Sequence, residues 1–81
     1  PFNPETTIGY SLAEGAPVEL RIYNLTGQVV RTLGSERQAA GRYSVRWGGK
    51  DERGLSVASG IYFYRLTAGS FMETRQMMLI K

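Results

Sequence analysis

Asp51 and Glu52 are the one pair of adjacent carboxylates in the chain, inside the stretch Gly48-Gly49-Lys50-Asp51-Glu52-Arg53-Gly54. Paired carboxylates are a minimal kit for general acid–base work or for part of a hard-cation site. The glycines on either side mark a turn, however, and Asp is favoured in turns because its side chain bonds its own backbone. Few other oxygens lie nearby to complete a calcium shell. The 81 residues include no His and no Cys. That removes the commonest general base, thiolate chemistry, disulfides and the usual zinc ligands. Gly48-Gly49-Lys50 lacks the full G-x-x-x-x-G-K spacing of a phosphate loop. Asn24-Leu25-Thr26 fits a glycosylation acceptor, but Asn24 to Gly27 is also what a tight turn selects. These residues predict no catalytic residue, no metal and no cofactor, and so no enzyme.

The aromatic residues are the other source of function. There are five Tyr, three Phe and one Trp. A carbohydrate-binding module would expose coplanar rings as platforms. Tyr10, Tyr43, Trp47, Tyr62 and Tyr64 instead fall in register with apolar neighbours, which predicts a core role. Ile61 and Phe63 lie on the opposite side of their strand, together with Arg65. Either that strand is covered on both faces, or Ile61 and Phe63 form a contact patch.

The net charge is +3, from ten Lys and Arg against seven Asp and Glu. The cations are dispersed, whereas a nucleic-acid surface clusters them, so no nucleic-acid partner is predicted. Glu19 with Arg21, and Glu73 with Arg75, share a side of their strands, which reads as a solvated face with cross-strand pairing. No run of about twenty apolar residues exists, so no transmembrane helix is expected. The first residue is Pro1 and no leader pattern follows, which implies a fragment or processed piece with any signal peptide upstream.

The elements that must carry these residues are short alternating runs punctuated by glycine. Residues 1–5, with Pro1 and Pro4, read as an extended linker to an upstream domain, and residues 6–81 as a single domain. Strands are predicted at Thr6–Leu12, Pro17–Tyr23, Gln28–Leu33, Arg42–Trp47, Leu55–Ala58, Gly60–Ala68 and Phe71–Ile80. Gly34 to Gly41 reads as a polar connection. Asn24–Gly27 and Gly69-Ser70 read as hairpin turns. About seven antiparallel strands at this spacing predict an immunoglobulin-like or fibronectin-III-like β-sandwich of two sheets. Within it Tyr62 is placed as a corner-type tyrosine, Tyr64 or Leu66 as its core partner, and Trp47 as the filler between sheets. The run Met77-Met78-Leu79-Ile80 is apolar on both sides of its strand, although a sandwich strand meets the core on one face. The outward set then needs a partner, through strand addition at a sheet edge or self-association of the last strand. A local bulge turning both sets inward is the alternative.

In this order, PFNPETTIGYSL, VELRIYNLTGQVVRTL, AGRYSVRWGG, SGIYFYRLTAG and METRQMMLIK resemble the C-terminal sorting domain of type IX secretion cargo in Gram-negative bacteria. They also resemble the related immunoglobulin-like domain of flagellar hook-capping proteins. The family's central W-D-G-x-D reads Trp47-Gly48-Gly49-Lys50-Asp51 here, one acidic residue short. The first resemblance implies a non-catalytic module that takes an upstream passenger through the periplasm and across the outer membrane, to be secreted or held at the cell surface. It implies the outer-membrane secretion machinery and a sortase-like protease as partners, with Met77, Met78, Leu79, Ile80 and Lys81 as the recognition strand. The alternatives are an accessory carbohydrate-binding or cell-attachment module of a secreted enzyme, or a structural assembly domain of the flagellar-cap kind.

Overall fold

A computed structural model describes residues 6–80; the predicted linker at residues 1–5 and Lys81 lie outside the described residues. Six strands form in chain order: β1 Thr6–Leu12, β2 Ala16–Tyr23, β3 Val29–Gln38, β4 Gly41–Trp47, β5 Gly60–Ala68 and β6 Phe71–Leu79. All pairing is antiparallel. β1 and β4 make a two-stranded sheet, and the other four make a sheet in the order β3-β2-β5-β6.

The alternation seen in the sequence decides which face each strand buries. Ile8, Leu12 and Trp47 from the smaller sheet meet Val18, Leu20, Ile22, Tyr62, Leu66, Ala68 and Leu79 from the larger one. Tyr10, Tyr43, Tyr64 and Met77 are half-buried and pack against this cluster. Among the described residues no polar or charged residue is buried.

Two expectations are corrected. Leu55–Ala58 is not a strand of either sheet. It folds back on its own loop through one Lys50–Ser56 bridge, with Asp51 N–H donating to Leu55 O at 2.9 Å and Val57 N–H to Gly49 O at 2.9 Å. Among the described residues six strands therefore stand where seven were expected. The supposed polar connection from Gly34 is largely strand, because β3 continues to Gln38 opposite Ala16. Its side chains there are polar because β3 is an edge strand with little to cover it. Register shifts between Leu20 and Arg21 and between Ile22 and Tyr23 bulge the β2–β3 ladder.

The hairpin turns form as expected. Asn24 Oδ1 accepts the N–H of Thr26 at 3.1 Å and of Gln28 at 3.0 Å, and Gly27 supplies the positive φ of 85° that the turn needs. The side-chain oxygen thus mimics a backbone turn, which is why Asn is selected at that position.

Candidate functional site

Trp47 is 1% exposed at the end of β4. Its indole N–H donates to the carbonyl of Lys50 at 2.9 Å, which pins the following loop. Its ring meets Tyr62 edge to face, with centroids 5.2 Å apart, an arrangement aromatic quadrupoles favour. The Tyr62 hydroxyl donates to the carbonyl of Ala58 at 2.6 Å, so Tyr62 is a tyrosine corner fastening the entry to β5. Leu66 is buried two register positions beyond Tyr64, and Tyr64 itself only half-buried.

A second corner was not anticipated. The Tyr43 hydroxyl donates to the carbonyl of Ala39, four residues upstream, as Tyr62 does to Ala58. The local sequences are Ala39-Ala40-Gly41-Arg42-Tyr43 and Ala58-Ser59-Gly60-Ile61-Tyr62. The glycine in each has a φ near 150°, 149° at Gly41 and 151° at Gly60, a region other residues avoid. The shared A-x-G-x-Y spacing is the signal that would have found it. Tyr43 also stacks on Tyr10 at 5.3 Å, so these rings face each other instead of forming an open platform.

The two loop carboxylates are occupied by backbone. Asp51 Oδ1 accepts the N–H of Arg53 at 2.9 Å and of Leu55 at 3.0 Å. The Leu55 amide, then that of Arg53 and the guanidinium charges of Arg53 and Arg31, hold the carboxyl below its ordinary range against an opposing desolvation effect. Glu52 Oε1 accepts the N–H of Thr32, and Glu52 N–H donates to Val30 O at 3.1 Å. The loop therefore docks on the free edge of β3 and covers its first turn of ladder. Among the described residues no group of three or more acidic, His or Cys side chains is placed to hold a metal ion.

The outer face of the larger sheet carries the candidate contact patch. Phe63 stands opposite Tyr23 on β2 and Gln76 on β6, and Ile61 stands opposite Met78. Ile61 and Phe63 are half-buried by these in-sheet neighbours, while Leu25, Met78 and Ile80 are 67%, 57% and 69% exposed. Arg21 and Arg65 oppose each other across β2 and β5. Like charges so placed repel, and each is drawn off: Arg21 to Glu19 at 3.0 Å, Arg65 over the Tyr23 ring at 5.0 Å. The ion pairs expected across strands form along them, since Arg75 pairs with Glu73 on its own strand at 3.1 Å.

β6 lies at the edge of the sheet. Its apolar run does not act as one surface. Leu79 is 3% exposed and Met77 half-buried in the core cluster, whereas Met78 and Ile80 point outward. The nine β5–β6 pairs run without a register shift, so no bulge turns both sets inward.

These features define an immunoglobulin-like antiparallel β-sandwich, without a helix among the described residues. Residues 3–70 match the FlgD Ig-like domain, and the chain belongs to that family. Among curated proteins no match accompanies this assignment.

Proposed function

We propose that the chain is a non-catalytic structural module of the flagellar-cap kind, an immunoglobulin-like domain that contributes rigid protein surface to a larger assembly. The observation that carries this reading is the family match. The chemistry supports it: both loop carboxylates bind backbone amides, and Trp47 and Tyr62 serve the core. A direct test replaces the immunoglobulin-like domain of a hook-capping protein with this chain and images hooks by electron microscopy. Normal hooks support the reading. A folded chimera that exports normally but builds no hooks overturns it.

A second reading has its own observation. The exposed residues at the end of the last strand, Met78 in the edge strand β6 and Ile80 just beyond it, suit the type IX sorting role, in which the outer-membrane machinery reads this strand and delivers a passenger to the cell surface. Its test is a reporter fusion in a host with that pathway. Met78→Ser with Ile80→Ser should lower surface display while leaving the purified domain's melting temperature in place. Display unchanged by both substitutions removes this reading.

A further inference from the structure

β3 and β6 are the two edges of the larger sheet, and they are treated differently. The β3 edge is bulged, and Glu52 plugs it through Val30 and Thr32. β6 has no bulge against β5 and carries no proline, two of the devices that blunt an edge. The two-residue turn Gly69-Ser70 joins Ala68 to Phe71 as flanking partners. In such a hairpin the flanking pair exchanges hydrogen bonds and every second pair follows. The backbone groups of Met72, Thr74, Gln76 and Met78 therefore face the open edge.

The side chains of β6 on the core-facing side read Phe71, Glu73, Arg75, Met77. That order is its own complement when reversed. We infer that β6 pairs antiparallel with β6 of a second copy of this chain, centred on Thr74, to give a continuous eight-stranded sheet about a two-fold axis. In this register Thr74 faces Thr74 of the second copy and Met72 faces Gln76, all with edge-facing backbone groups. Glu73 then lies opposite Arg75, and Phe71 opposite Met77, each twice by symmetry. These are the non-hydrogen-bonded positions, where Cα atoms approach to about 4.5 Å and side chains interact most closely.

Charge selects this register. Centring the pair on Glu73 sets carboxylate against carboxylate, and centring it on Arg75 sets guanidinium against guanidinium. Like charges directly opposite destabilise a strand pair, and opposite charges stabilise it. Inward charges ordinarily protect an edge; here their order admits the Thr74-centred register, pairs both charges in it, and rejects the two nearest slips. Each Glu73, already 3.1 Å from its own Arg75, would sit between two guanidiniums. Phe71 is 54% exposed in the single chain, and gains cover from Met77 of the second copy.

The test is sedimentation equilibrium over a concentration series to about 1 mM, the weak end of measurable association. The parent chain should show a reversible dimer. Glu73→Arg, and separately Arg75→Glu, should each weaken it at least about tenfold, because each places like charges opposite twice. Mixing those two variants should restore association as a heterodimer, since one strand then carries two Arg and the other two Glu. Thr74→Pro should abolish the dimer yet leave the melt near the parent's, because that N–H faces the edge and proline is tolerated there. A parent chain monomeric throughout the series overturns the inference. So does a dimer that all three variants retain, or single reversals whose mixture stays monomeric.

Discussion

Replacing Trp47 with alanine tests the packing argument at its most concentrated point. The residue is 1% exposed and bridges the sheets. Removing a buried aromatic to alanine costs about 3–5 kcal/mol from transfer and cavity terms. The edge-to-face contact with Tyr62 adds about 0.5–1.5 kcal/mol beyond area. The Lys50 carbonyl also loses its indole partner, worth about 1 kcal/mol. These overlap, so about 4–5 kcal/mol is the working figure. A chain of 81 residues has a total stability of about 4–12 kcal/mol at the usual per-residue value. Trp47→Ala should therefore lose at least about a third of the total stability, and be largely unfolded at 25 °C if the parent lies at the low end of that range. Trp47→Phe keeps most of the ring but not the donor, and should lose about 1–3 kcal/mol. Urea unfolding followed by circular dichroism gives both numbers. If Trp47→Ala loses less than about 2 kcal/mol with an unchanged denaturant slope, the ring is not the keystone of the interface.

Leu79→Ser should cost about 2–5 kcal/mol and Met78→Ser less than about 0.5 kcal/mol, because the first is buried and the second exposed; thermal melts of the two variants check the alternation along β6. Gly49→Ala should lower the melting temperature, since its φ is 72° and an added Cβ would stand 3.1 Å from Leu79 Cδ2. Asp51 is held below its ordinary value of 3.8, chiefly by the Leu55 amide. Its contribution is therefore present above that value and lost as the pH falls through its folded value; Asp51→Ala should flatten the acid limb of a stability–pH curve, and Asp51→Asn, which keeps the amide acceptor, should hold more of the neutral-pH stability than Ala. Tyr62→Phe should cost about 1–2 kcal/mol in urea unfolding, since it leaves the Ala58 carbonyl without its donor.

The first strand was legible to the residue because Ile8, Tyr10 and Leu12 alternate between turn signals with nothing to compete. The turns were legible because glycine and asparagine act through local backbone geometry. Leu55–Ala58 misled because four residues of apolar alternation look alike whether they join a sheet or fold back on a loop, and only tertiary pairing decides. The far half of β3 was missed for the converse reason: an edge strand with a solvated face lacks the apolar signal that marks a strand. The corner at Tyr62 was readable from its place before a core residue, but Tyr43 needed the comparison of two A-x-G-x-Y segments. The split of Met77 and Leu79 from Met78 and Ile80 follows strand parity. Which parity faces the core depends on the β5 register, which the sequence of β6 alone does not contain.

The pairing of β1 with β4 has a kinetic consequence. Leu12 meets Gly41 and Thr6 meets Trp47, with the whole β2–β3 hairpin lying between them. The β5–β6 ladder, by contrast, closes over the two residues Gly69-Ser70. Loop-closure entropy grows with the logarithm of length, so the first β1–β4 contact costs about 2–2.5 kcal/mol more than that hairpin before any ladder bond offsets it. The two hairpins of the larger sheet therefore have a head start over the smaller sheet, but the contact that joins them, Tyr23 with Phe63, closes a longer loop still. Until β1 and β4 pair and cover them, Val18, Leu20, Ile22 and Leu66 have no lid. The time this domain spends aggregation-prone is set by two long-range meetings, its first strand with its fourth and its second with its fifth.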